Sequence, residues 1–142
     1  MSKILEALPR FFLGTILLLS SIAGLLHLAP PPALEGTGAV YMAGLGGSYL
    51  FTLVKLTELV GAVLLLSNRF VPLALTILAP VLVNIAAFHL FYAPSGLAVP
   101  VVLLAAESWL AWKYRGVFAP MLAAKAQKAP AAPARVGAAL QG

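Results

Sequence analysis

The stretch from Lys55 to Phe91, KLTELVGAVLLLSNRFVPLALTILAPVLVNIAAFHLF, consists of two apolar segments joined by the polar corner Ser67-Asn68-Arg69. Apolar segments of this length joined so tightly fold back as antiparallel helices, and each approaches the roughly 20 residues that a bilayer crossing requires. Yet both contain groups that hydrocarbon excludes: Lys55 and Glu58 in the first, Asn84 and His89 in the second. An ionisable side chain inside a membrane span costs on the order of 3 kcal/mol or more unless it is paired or lines a polar cavity. These residues therefore either tie helices together or form a site.

The rest of the chain fits the same solvent. Of its 142 residues 62% are hydrophobic and only 9% are charged. A soluble domain carries about 25% charged residues, so this chain cannot cover a water-facing surface. The expected fold is all-α: one bundle of four transmembrane helices, with spans at about residues 11–29, 46–67, 70–91 and 97–114. There is no cysteine, which excludes disulfides, thiolate catalysis and Cys-ligated metal or iron–sulfur centres. No metal site and no intrinsic cofactor are expected. The net charge of +5 does not point to nucleic acid. Every Lys and Arg except Lys55 falls near a predicted helix end or in a tail, where such residues orient a membrane protein.

In chain order, a short charged lead with Lys3, Glu6 and Arg10 precedes the first apolar run, Phe11 to Ala29. That run exceeds the roughly 7 to 15 residues of a signal-peptide core, and Pro30-Pro31-Pro32 follows it, so a retained span is expected. Ser20, Gly24 and His27 recur on one helical stripe, where small residues admit a neighbouring helix. Ala39 to Leu45 is apolar and too short to cross, so it reads as an interfacial or re-entrant segment. In the second span Thr52, Lys55 and Glu58 share a broad face, and Gly61-Ala62 offers a small contact surface. In the third, Pro80 lies mid-span and should kink the helix, with Thr76, Asn84 and Ala87 along its face. In the fourth, Glu107 lies in the middle and Trp109, Trp112 and Tyr114 mark an interface. From residue 119 to 142 the chain is Ala/Pro-rich and is expected to be a disordered tail.

Basic residues mark the N-terminal lead, the Arg69 corner and the tail, while the other two connections carry none. The positive-inside rule then places both termini and the Arg69 corner in the cytoplasm. Counting along each span at about 1.5 Å per residue puts Lys55, Glu58, Asn84 and Glu107 near the midplane, and His27 and His89 near the outer end. The midplane layer has two readings. Lys55 pairs with Glu58 one turn away or with Glu107 across the bundle, and Asn84 bridges helices; or the cluster binds a ligand or protons. The histidines have three readings: interfacial rings, hydrogen-bond donors to a quinone carbonyl, or paired haem ligands.

The run from Lys55 to Phe91, with its closing LAPVLVNIAAFHLF, resembles the DoxX-like family of small four-helix bacterial membrane proteins. So does the first span, RFFLGTILLLSSIAGLLHL, with an Arg, an early Gly, and a Gly and His near its end. The resemblance covers about residues 8 to 118. It implies a small subunit or accessory of a quinone-linked oxidoreductase in the bacterial inner membrane, with no intrinsic cofactor but quinone as a candidate ligand, and other membrane or redox subunits, or further copies of the chain, as partners beside the lipid. Glu58, Asn84 and His89 match the family's polar positions. Against this stand a small proton-coupled transporter or channel built on the midplane cluster, and a structural or assembly factor with no chemistry.

Overall fold

In a computed structural model the described residues are 2–28, 30 and 33–125. They are helical, with no strand among them. The helices are α1 (Ser2–Leu25), α2 (Gly36–Gly46), α3 (Tyr49–Leu66), α4 (Val71–Tyr92), α5 (Ala98–Lys113) and the single turn α6 (Arg115–Phe118), with 3-10 turns at Pro94–Gly96 and Ala119–Leu122. Residues 126–142, which hold most of the tail expected to be disordered, lie outside the described residues, as do Pro31 and Pro32.

The first helix differs from the expected span at both ends. It starts at Ser2 rather than Phe11 and so runs through Pro9, which leaves the Leu5 carbonyl without its usual donor. It stops at Leu25 rather than Ala29. The His27 N–H donates to the Gly24 carbonyl and the Leu28 N–H to the Ala23 carbonyl, while His27 itself takes φ 52°. That is a Schellman closure with His27 in the left-handed position usually given to glycine. The same closure ends α3: Asn68, at φ 56°, donates to Leu65, and Arg69 to Leu64. The expected Asn68-Arg69 corner is thus a helix stop followed at once by α4. Gly46-Gly47-Ser48 does not open α3 as expected. Gly46 ends α2, and Ser48 is the extended residue before α3.

Four helices close into a ring, each packed on two neighbours, in the order α1, α3, α4, α5. Chain direction makes every neighbouring pair antiparallel. The core is drawn from inward stripes: Leu13 and Leu17 of α1; Ala62 and Leu65 of α3; Ala74, Leu75, Leu78 and Leu82 of α4; Leu103 and Leu110 of α5. Gly61 sets the α3–α4 approach. A Cβ there would lie 2.6 Å from Leu78 Cγ, so only a bare backbone admits that leucine. Outward, each of the four helices exposes large apolar side chains, including Leu19 at 60%, Leu53 at 52%, Val83 at 57% and Val101 at 51%. An apolar girdle of that extent is unusual for a surface facing water.

Among the described residues, three helical stretches are long and apolar enough to cross a membrane: Ala7–Leu25, Tyr49–Leu66 and Val71–Tyr92. The chain is a helical membrane protein. Helix α5 has 16 residues, or about 24 Å at 1.5 Å per residue, which is shorter than a hydrocarbon core of about 30 Å. Helix α2, with 11 residues, is shorter still. It packs on α3 and α4 at the end of the bundle where α1 stops and α3 begins.

Candidate functional site

Lys55 and Glu58 are one turn apart on α3, the spacing at which two side chains meet on one helix face. The Lys55 ammonium lies 3.0 Å from both Glu58 carboxylate oxygens. The third member of the network comes from another helix. Lys55 Nζ donates to Ser20 Oγ at 3.0 Å, and the Ser20 hydroxyl donates to Glu58 Oε2 at 3.1 Å. Ser20 is close to the end of α1 and Lys55 close to the start of the antiparallel α3, so the two reach the same depth. Gly24, one turn after Ser20, makes room for the lysine: a Cβ there would lie 2.8 Å from Lys55 Cδ and 2.9 Å from Cε.

An ammonium has three N–H donors and no acceptor. Here it has three acceptors: two carboxylate oxygens and one hydroxyl. The Glu58 side chain is fully buried and that of Lys55 is 15% exposed. The network is therefore neutral overall and internally satisfied, which is the condition under which a buried ion pair is tolerated.

Above this network, between α1, α2 and α3, is a cavity of about 620 Å³. Ser20, Gly24 and Lys55 line one end, and His27, Phe51 and Met42 are among its other walls. The His27 and Phe51 ring centroids are 6.5 Å apart, and Lys55 Nζ sits 5.8 Å from the Phe51 centroid. The walls are mostly apolar with a few polar atoms. This is the usual make-up of a site for an amphiphilic small molecule, and its volume falls within the roughly 300 to 1,000 Å³ typical of ligand pockets.

The other polar residues singled out in the sequence are placed elsewhere. Asn84 is exposed on α4, with its Nδ2 3.3 Å from the Tyr41 hydroxyl of α2. Glu107 is buried on the inward stripe of α5 at 6% exposure, and its Oε1 has no hydrogen-bond partner among the described residues. So of the four residues expected in one midplane layer, only Lys55 and Glu58 share a network. His89 does not line the cavity with His27. Its Nδ1 lies 2.8 Å from the Ile85 carbonyl, and since a carbonyl only accepts, Nδ1 carries the proton. The ring is packed over Gly96, where a Cβ would lie 2.8 Å from Cδ2. Residues missed in the sequence are Ser20, read there as packing, and Phe51 and Met42, which carry no polar signal.

Compared with protein-family models, curated proteins and solved structures, the chain gave no match. The class that fold and site define is a small helical membrane protein with a buried Lys–Glu–Ser network at one end of a cavity between α1, α2 and α3.

Proposed function

We propose that the chain is a DoxX-like membrane subunit or accessory of a quinone-linked oxidoreductase, and that the cavity between α1, α2 and α3 receives the quinone head. In this reading α5 is the fourth span, extended by flanking residues and anchored by Trp109 and Trp112. Both termini face the bacterial cytoplasm, and the cavity opens toward the other side. The observation that carries the proposal is His27. A non-glycine residue at φ 52° is held at a cost of about 1 to 2 kcal/mol, in a position that glycine fills without strain. The strained residue also puts an imidazole on the cavity wall. Strain retained at a ligand cavity points to use of the side chain.

The residues present fit such a ligand. Phe51 offers a flat face to a ring, the His27 imidazole offers a donor to a carbonyl, and the apolar walls suit a prenyl tail. A bound quinone would supply the two-electron, two-proton chemistry. The chain's own part is to orient the head and keep water away. Electrons would come from a partner subunit.

Replacing His27 with glycine separates the two roles. His27→Gly should raise thermal stability by about 1 kcal/mol through relief of the left-handed strain. It should also weaken quinone binding about tenfold, the worth of one polar contact. Binding is measured by titrating a short-chain quinone onto protein in nanodiscs and following fluorescence quenching of its tryptophans. His89→Phe, outside the cavity, should leave affinity unchanged. Equal quinone affinity in His27→Gly and the parent would remove the proposal. A second reading, a proton-coupled transporter, is favoured by the partnerless Glu107 oxygen. Its test is proton flux in proteoliposomes that Glu107→Gln abolishes.

A further inference from the structure

Helix α2 walls the cavity with one face and is fastened by another. Ala39, Met42, Ala43 and Gly46, which line the cavity, recur at the i, i+3, i+4, i+7 spacing of a single helical stripe. Gly38 and Tyr41 lie on a second face, about 120° round the wheel, and meet α4. There Asn84, Phe88 and Tyr92 form a stripe of their own at a spacing of four. The Asn84 amide donates to the Tyr41 hydroxyl at 3.3 Å. The centroid of the Tyr41 ring is 5.3 Å from that of Phe88 and 5.9 Å from that of Tyr92. One turn before Tyr41, a Cβ at Gly38 would lie 3.1 Å from Tyr92 Cβ, so the bare backbone lets the two helices close up.

Little else holds α2. Of its 11 residues only Gly38 is buried, and none belongs to the apolar core. Glycines stand at both its ends: Gly36, in the left-handed region at φ 59°, and Gly46 before Gly47. The helix packs on α3 and α4, and on its remaining side the cavity lies between it and α1. An element with so little buried apolar surface opens at a lower free energy than the core does. Its contacts with α4 therefore set how firmly it covers the cavity.

We infer that Asn84 and Tyr41 are positioning residues for the cavity: their hydrogen bond latches α2 to α4 and governs how readily a molecule enters between α2 and α1. The inference rests on the reading of the cavity as a binding site, but not on quinone as its ligand. It gives a use to a polar side chain that the core and the Lys55 network leave aside. Asn84 is the amide on an otherwise apolar helix, and it is spaced to meet the single tyrosine of α2.

The chain has no cysteine, so a single thiol in the cavity reports access without any ligand. Ala23→Cys places it on the α1 wall, and Ala74→Cys, in the core of α4 at 0% exposure, is the control. Each full chain is alkylated with N-ethylmaleimide in native membranes. Tyr41→Phe, which keeps the ring and removes the hydroxyl, and Asn84→Leu should each speed alkylation at position 23 about fivefold, the worth of one hydrogen bond. Position 74 should stay unreactive. Together the two substitutions should speed the reaction no more than either alone, because they remove the same bond. A rate at position 23 indifferent to both, effects that add in the double variant, or equal acceleration at position 74 would each overturn the inference. Should a short-chain quinone fail to bind while the thiol follows the expected pattern, the latch stands and the quinone reading falls.

Discussion

Glu58 and Glu107 are the same residue type on the inward faces of two helices of one small ring, and both are essentially buried, at 0% and 6% exposure. They differ in company. Glu58 receives both the Lys55 ammonium and the Ser20 hydroxyl. Glu107 has an oxygen with no partner among the described residues. Burial alone therefore does not tell what a membrane carboxylate is for. Folding explains Glu58: it neutralises a lysine, and through Ser20 it joins α1 to α3. Folding does not explain Glu107, which makes the α5 stripe Pro100, Leu103, Leu110 less apolar without a visible return.

The comparison predicts opposite signs. The largest effect should come from Lys55→Met, which leaves the Glu58 charge buried beside a single hydroxyl. Removing one member of a buried pair costs about 3 to 5 kcal/mol, whereas replacing both by apolar groups can be near neutral. Thermal unfolding in detergent should show a large loss for Lys55→Met, and Lys55→Met with Glu58→Leu should recover most of it. The recovery should not occur when Glu107→Leu is the second change. If Glu107 rescued as well as Glu58, the pair would be misassigned.

The mirror experiment is Glu107→Leu. Relieving a buried oxygen of its lost hydrogen bonds is worth about 1 to 3 kcal/mol, so this variant should be more stable than the parent by that order, with unfolding followed under the same conditions. A loss of stability would mean that Glu107 has an essential partner, and the contrast with Glu58 would fail.

The local half of this arrangement was legible in the sequence. Lys55 and Glu58 at a spacing of three can meet on one helix face, one of the two pairings the sequence left open, the other being Lys55 with Glu107, and the corner at Asn68 carries its own stop. What could not be read depends on how helices are set against one another. Ser20 reaches Lys55 only because α1 packs on α3 with Gly14 against Leu66 and Gly24 against Lys55, a stagger that the sequence does not display. Read as a stripe of small residues, Ser20 and Gly24 looked like packing, and Gly24 is indeed packing, but against a lysine stem. Asn84 was expected to face inward because polar groups usually do in membranes. Helix α4 is apolar all round, so its pattern could not say which arc faces α3 and α5. The leucines at 75, 78 and 82 take that place and leave Asn84 outside. His89 fell at the same depth as His27, but depth is one coordinate, and its ring turns to its own backbone and to Gly96.

The smallest predicted effect tests how closely the network and the cavity are coupled. Gly24→Ala adds a methyl group 2.8 Å from Lys55 Cδ, so the lysine stem must move. Overpacking of this kind costs about 1 to 3 kcal/mol, but alanine is favoured over glycine in a helix by about 1 kcal/mol. The net change in stability should therefore be slight, about 1 kcal/mol of loss. The consequence should be local. The ammonium is drawn away from Ser20 while staying within reach of Glu58 on its own helix, because that contact does not depend on α1. The network then opens at one of the two bonds that cross between helices, the one from Lys55 to Ser20, on the wall of the cavity. Ligand affinity should change several-fold while the melting temperature barely moves. Ser20→Ala, which removes that bond together with the Ser20–Glu58 bond and adds no volume, should change affinity in the same direction. Opposite directions in the two variants would show that Gly24 shapes the cavity by volume alone, and that the lysine network is a clamp between helices with no part in what the cavity holds.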